Sequence, residues 1–290
     1  MKKNPAEGLL FSGGLDSGIL AYFCPEINAI TVTLKSWGKD LKYADSLAKF
    51  YKVKHYKRVI SVEESINAIP EVIKILKSFD PAIPNDITVY FGLKFAKEMG
   101  MKSIMTGDGS DELFAGYSYM RNIPDLENYI QKITGSMYFS SNAIGQFLNI
   151  KVIQPYIDKD FINFCLGIPV NLKLKKTKEG FMGKWILRKA FEGLLPNNII
   201  WQEKRALEYG SGTTKLRKII ASKVSEKEFK QKSYPVKFIN KEHFYYYKIY
   251  REEIGSVPRP LKGERACPGC GAGIKKGNFH CKVCGWTKKN

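Results

Sequence analysis

Long apolar runs are what this chain has least of: in 290 residues none reaches the uninterrupted length a membrane-spanning helix requires. The nearest, close to the N-terminus, is broken by Asp16 among its glycines, which also excludes the apolar segment of a secretory leader. A cytoplasmic protein without membrane contact is the expectation. The chain shows no internal repeat and no low-complexity segment, so repeat architectures are set aside. Cysteine is scarce ahead of residue 267, where Cys24 and Cys165 stand alone, and that excludes a disulfide framework there. Acidic residues are outnumbered, 28 against 47 Lys and Arg, for a net charge of +19. Such an excess attracts polyanions, whether nucleotide phosphates, nucleic acid or an acidic surface. A lysine-rich solvated surface with no specific partner is the alternative.

With 44% hydrophobic and 26% charged residues, the chain can build one large core with an appendage, or two domains. Apolar patterning predicts strands at 9–11, 29–34, 56–62 and from 103, and helices over 16–23, 41–51, 65–77 and 88–99. Strands alternating with helices imply an α/β, doubly wound parallel sheet with ligands at the carboxyl ends of the strands. From about 120 to 255 the pattern is mostly helical, interrupted at Pro196-Asn197-Asn198. Residues 256–266, rich in proline, glycine and charge, read as a linker between residues 1–255 and a C-terminal module, 267–290.

The first strand runs into FSGGLDSG, Phe11 to Gly18. A glycine-rich turn entering a helix exposes backbone N–H groups where partial positive charge collects, so an anion site is expected, phosphate first among candidates. Gly13 and Gly14 allow close approach, while Ser12 and Ser17 add hydroxyl donors. No Lys-Ser or Lys-Thr closes the turn, which separates it from the GxxxxGK[ST] loop. Asp16 is compatible with a phosphate only if a cation lies between them. A second stretch, TGDGSDELFAGYSYM from Thr106, brings Asp108, Asp111 and Glu112 to a glycine turn after a strand. In so basic a chain that cluster suits a divalent cation or a proton-transfer site; an Asx-turn with an acidic helix start is the bland alternative.

SGGLDS resembles the pyrophosphate loop of the ATP pyrophosphatases (adenine-nucleotide alpha-hydrolases), which split ATP between its α- and β-phosphates. The Thr106 stretch is similar to the signature of the synthetase domain of glutamine-hydrolysing asparagine synthetases, with Gly107, Gly109, Ser110, Asp111, Glu112, Gly116 and Tyr117 in register. DLKYADSLAKF, PYID, KWILRKAFEGLLP, WQEKRALEYGSG and NKEHFYYYKIYREE resemble further blocks of that family in the expected order, so the likeness covers roughly residues 8–255. It implies an ATP pyrophosphatase-type sheet with a helical C-terminal half. Ser12, Gly13, Gly14, Asp16, Ser17 and Gly107 would hold the phosphates, with adenine against Leu10 and Val32. It further implies Mg²⁺ held through Asp16 and Asp111, Asp108 near the reacting carbonyl, and Lys204 stabilising charge on the acyl-adenylate and departing pyrophosphate.

The departures are as informative. The family's glutaminase domain has no counterpart before the pyrophosphate loop, so nitrogen is expected as free ammonia or from a separate glutaminase. The arginine common in the family before its PYID-like block is missing from NIKVIQPYID, which has Ile153 and Gln154, and an Ile-Arg-Ala-Ser-like segment is replaced by Ala82 to Asp86. Aspartate as acceptor is therefore less firmly implied than ATP cleavage.

At the C-terminus, Cys267, Cys270, Cys281 and Cys284 form two CxxC knuckles, each followed by glycine. Four thiolates at this spacing can close a tetrahedron around structural Zn²⁺, leaving no open position; iron is the metal alternative. His280 reads as a surface residue. So small a module cannot bury its own core, and metal is expected to supply its folding energy. Lys275, Lys276, Lys282, Lys288 and Lys289 surround it. Two functions follow: an ATP-dependent amide synthetase acting on a carboxylate, or a tRNA-modifying enzyme that adenylates an RNA-borne group with the ribbon docking RNA.

Overall fold

The computed structural model describes residues 6–38, 40–178, 180–202, 206–230, 233–278 and 280–287. Five strands form the central sheet: β1 (Gly8–Leu10), β2 (Asn28–Leu34), β3 (His55–Ile60), β4 (Ser103–Met105) and β5 (Lys151–Ile153). Their spatial order is β3-β2-β1-β4-β5, and every pairing is parallel. The chain thus builds outward from β1 in one direction, then returns to its other side with β4. The order reverses between β1 and β4, which opens a crevice at their carboxyl ends.

Helices cover both faces, which is why β2 reads as a nearly unbroken buried run rather than an alternating one. On one face Leu9, Phe11 and Ala29 pack with α1 (Leu15–Phe23) and α2 (Asp40–Tyr51). On the other, Ile30, Val32 and Leu34 meet α3 (Val62–Asn67), α4 (Ile69–Leu76) and α5 (Ile83–Glu98), together with the closing helix Lys241–Glu253.

The pattern read as one helix over 65–77 is two. Ser61 and Glu64 form a reciprocal cap that starts α3 earlier, and the chain is divided at Ala68 before Pro70 enters the first turn of α4. α5 begins five residues before the expected start, because Pro84 sits in a first turn where its missing N–H costs nothing. Sequence patterning also passes over β5, three residues long, and the hairpin of β6 (Leu174–Thr177) and β7 (Gly180–Gly183). Beyond β4, the short helix α6 (Ser110–Leu113) leads to α7 (Leu126–Thr134) and α8 (Ser140–Leu148).

The C-terminal module is packed into the main body. Cys267, Cys270, Cys281, Cys284, Ala272 and Ile274 belong to the same buried cluster as Phe79, Tyr247 and Tyr250. The last three residues read as linker are themselves a strand, β8 (Glu264–Ala266), antiparallel to β9 (Gly273–Lys275). No helix among the described residues is long and apolar enough to cross a membrane.

Candidate active site

The turns after β1 and β4 meet at the reversal of strand order. In the first, Gly13 adopts φ +70°, and a Cβ there would lie 2.3 Å from the backbone nitrogen of Ala44. Glycine is required so that α2 can lie against the turn, which is a different reason from close approach to an anion. Gly14 donates to Ser12 Oγ at 3.3 Å, and Ser12 and Ser17 share a hydrogen bond of 3.2 Å. Asp16, in the first turn of α1, accepts from Ser110 Oγ at 2.7 Å, tying the β1 turn to the β4 turn. Tyr156 donates to the Asp16 carbonyl at 3.0 Å.

The cation at the centre of this junction is Lys184. Its ammonium lies 2.6 Å from Asp16 Oδ2 and 2.7 Å from Asp111 Oδ1, with only 3% of its side chain exposed. The backbone at Lys184 is left-handed, φ 56°, held by its N–H donating to the Phe114 carbonyl at 2.8 Å. A lysine in this region costs free energy that the surroundings must offset, and such strain collects at functional sites. Gly116 makes room for the pair: a Cβ there would fall 1.9 Å from Asp111 Oδ1 and 2.5 Å from Lys184 Cε. Arg188, buried one turn further on, donates to Gly183 O at 2.9 Å and to Gln202 O at 3.0 Å, anchoring the segment that leads into residues 203–205. Lys204 lies outside the described residues.

Two carboxylates that converge on one cationic centre are also the hard oxygen donors Mg²⁺ takes alongside phosphate oxygens. Asp16 and Asp111 therefore fit the expected ion, with Lys184 as an additional charge that sequence reading did not assign.

Asp108 is fixed through one oxygen. Its Oδ2 accepts from Thr106 Oγ1 at 2.7 Å, Ser141 Oγ at 2.6 Å and Gln154 Nε2 at 2.8 Å. Gln154, which stands in the region where the resemblance expects arginine, thus orients Asp108. Glu112 accepts from the Tyr117 hydroxyl at 2.7 Å, and burial pushes its carboxyl above the ordinary range.

The carboxylates among these groups line one cavity of about 640 Å³, while Lys184 and Gln154 contact them from outside its lining. Leu10, Ser12, Asp16, Ser17, Val32, Gly107, Asp108 and Asp111 all face it, whereas Gly13 and Gly14 do not. Apolar Leu10, Ile30, Val32, Val89 and Leu207 form a wall suited to a base. Ala82, Asn85 and Asp86, from the segment that departs from the family pattern, form another part. Asp86 is 6% exposed, and burial pushes its carboxyl up to about 7 against an opposing hydrogen bond from Ser140.

A raised value means the unfolded chain loses this proton at lower pH than the folded one. The contribution is complete below the ordinary carboxyl range and is lost as pH rises to about 7. Asp86→Asn is expected to be more stable than the parent at pH 8, by at most about 4 kcal/mol, and so to unfold at a higher temperature, with the gap closing toward pH 4. Calorimetric scans of both proteins across that range check it.

The four cysteine sulfurs lie within 4.8 Å of one another and are buried. Cys267 Sγ to Cys284 Sγ is 3.7 Å and Cys270 Sγ to Cys281 Sγ is 3.8 Å. A tetrahedron with metal–sulfur bonds of about 2.3 Å requires sulfur separations of about 3.8 Å, so the set fits one such ion. The second knuckle is pinned to the loop before α5: Val283 O accepts from Phe79 N–H at 2.8 Å and Ser78 Oγ at 3.2 Å, and His280 Nε2 lies 3.1 Å from Asp80 Oδ2. His280 is exposed, as expected, yet it shares the cavity wall with Lys282 and Val283. That docking, like Lys184 and Asp86, was missed by sequence reasoning. The available signals were the position of Lys184 at the head of KWILRKAF and of Asp86 at the end of the divergent segment.

Over residues 1–150 and 142–254 the sequence matches the protein family described as Asparagine synthase. The asparagine synthetase (glutamine-hydrolyzing) 2 of Lotus japonicus is 29% identical over 277 residues, covering 85% of this chain and 47% of that protein. A probable glutamine-hydrolyzing asparagine synthetase of Dictyostelium discoideum is 30% identical over 265 residues, covering 78% and 47%. The chain spans about half the length of these curated relatives. A solved structure described as a predicted subunit of tRNA methyltransferase from Methanocaldococcus jannaschii aligns at 16% identity and TM-score 0.33, over 69% of this chain and 94% of that one.

Proposed function

Since the chain belongs to the asparagine synthase family, we propose that it is an ATP-dependent, AMP-forming amide synthetase whose acceptor is a carboxylate, aspartate being the first choice. The observation that carries this reading is the meeting of the β1 and β4 turns in one cavity, with Asp16, Asp111 and Lys184 at a single charged centre and Asp108 beside them.

Adenine lies against Leu10 and Val32, and the phosphates reach the N-terminus of α1 and the hydroxyls of Ser12 and Ser17. Asp16 and Asp111 would hold Mg²⁺, which when bound supplies charge neutralisation for the phosphate oxygens. An acceptor carboxylate oxygen attacks the α-phosphorus as the bond to the bridging oxygen of pyrophosphate breaks. Lys184, together with Lys204 as the resemblance implies, offsets the negative charge that builds on the departing group. Ammonia, free or delivered by a separate glutaminase, then attacks the acyl carbon. The bond to AMP breaks, and Asp108, held by Thr106, Ser141 and Gln154, takes the proton shed by nitrogen. Structural Zn²⁺ would fill the four-cysteine site.

Incubation with ATP and Mg²⁺ across aspartate, other carboxylates and bulk tRNA, with and without ammonia, tests the reading. AMP and pyrophosphate in equal amounts, dependent on a carboxylate, are expected. ADP and orthophosphate would overturn it, and dependence on tRNA alone would replace the acceptor by RNA. Asp108→Asn is expected to release a first-turnover burst of pyrophosphate at a rate near the parent's, while steady-state turnover and amide formation fall about 100-fold or more, the range for loss of one general base.

A further inference from the structure

We propose that the cysteine module is part of the acceptor site, with Lys282 of its second knuckle as the cation that binds a carboxylate of the acceptor; this rests on the synthetase reading above. The module adds residues to the wall of the same cavity that Asp16 and Asp111 line: His280, Lys282 and Val283 face it together with Asp80, Asp86 and Asp108. The knuckle is held there by the hydrogen bonds from Phe79 N–H and Ser78 Oγ to Val283 O, so Lys282 projects from a fixed backbone.

Lys282 is exposed, and a residue both exposed and cavity-lining stands where the cavity meets solvent. Its ammonium sits 4.1 Å from the centroid of the Tyr138 ring, which restricts a side chain that is otherwise flexible, and among the described residues it forms no ion pair. Its charge is therefore available to a ligand. The chemistry of that ligand follows from its neighbours. Asp80, which faces His280, and Asp86, which acts electrostatically on Tyr138, line this part of the cavity, and without a bridging divalent cation of the kind Asp16 and Asp111 would hold they disfavour a chain of phosphates beside Lys282. They tolerate one compact oxyanion that meets Lys282 directly. A small carboxylic acid fits this pattern, and the acidic wall beside it suits an ammonium group on the same molecule.

Two measurements on the full-length, metal-replete protein test the assignment. In the first, acetylation of Lys282 by an activated ester is followed by mass spectrometry in the presence of L-aspartate, succinate, inorganic phosphate or bulk tRNA. L-Aspartate and succinate are expected to slow modification about fivefold or more, as occupancy of an ion-paired site does, while phosphate and tRNA leave it unchanged. No protection by any of the four overturns the proposal, and protection by phosphate or tRNA alone overturns the carboxylate assignment.

In the second, pyrophosphate release is measured with whichever carboxylate best activates the parent protein. Lys282→Ala is expected to raise KM for that carboxylate about tenfold or more with kcat and the KM for ATP little changed, the signature of lost ground-state binding. Lys282→Arg is expected to recover most of the affinity. An unchanged acceptor KM in Lys282→Ala overturns the proposal. Failure of every carboxylate to release pyrophosphate instead removes the synthetase reading, and the modification experiment then decides on Lys282 alone.

Discussion

Lys184→Met is expected to unfold at a markedly lower temperature than the parent in metal-free buffer, and to recover much of that loss when Mg²⁺ is added. Lys184 is 3% exposed and holds two carboxylates that are themselves 17% and 10% exposed. Taking the ammonium away leaves two like charges close together in a poorly solvated site, and breaking a buried pair of this kind costs about 3–5 kcal/mol. A divalent cation can take over the neutralising role, so the variant gains more from Mg²⁺ than the parent does. Activity separates from stability here. Mg²⁺ restores the fold, but pyrophosphate release remains about 100-fold or more below the parent, the scale on which one preorganised electrostatic contact acts in a transition state. Thermal scans with and without Mg²⁺, paired with pyrophosphate assays, read both effects. A melting temperature equal to the parent's in metal-free buffer would remove Lys184 from its structural role, and full activity would remove it from the chemistry.

The second large effect belongs to the four cysteines. Stripping the metal with a strong chelator, or replacing Cys267 and Cys281 by serine together, is expected to lower the melting temperature by about 10 °C or more, since structural zinc supplies about 10–16 kcal/mol to small modules and only part needs to reach the main body. Transmission has a defined route. Phe79 packs edge-on against Tyr247 and Tyr250 with centroids 5.1 Å apart, and its N–H is satisfied by Val283 O. Loosening the knuckle withdraws that acceptor and exposes the aromatic group. Metal content by mass spectrometry and melting curves before and after chelation check the outcome. A module that only decorated the surface would lose its metal without moving the main transition.

What was legible in the sequence had local causes. A glycine turn following an apolar strand announces the turn between β1 and α1, and a cluster of acids on a second such turn announces the one after β4, because each signal lies within a dozen residues. The knuckle spacing announces the four-cysteine cluster for the same reason. Lys184 was illegible because one lysine among many acquires meaning only when Gly116 and the left-handed backbone place it between Asp16 and Asp111, residues far apart in the chain. Asp86 looked like the end of a divergent segment, and its raised proton affinity comes from burial that only the tertiary fold supplies. β5 escaped because three residues at a sheet edge carry too little periodicity to stand out from helical surroundings.

Covalent and packing boundaries fall in different places in this protein. The connector after the helix Lys241–Glu253 is the thin point of the polypeptide, yet Cys267, Cys270 and Ile274 are sealed into the same interior as Phe79 and Tyr250. A backbone cut in that connector would leave two fragments clasped by a common hydrophobic seam, and removing the smaller one would turn that seam into an adhesive patch. Evolution acting on either piece therefore has to negotiate with the other.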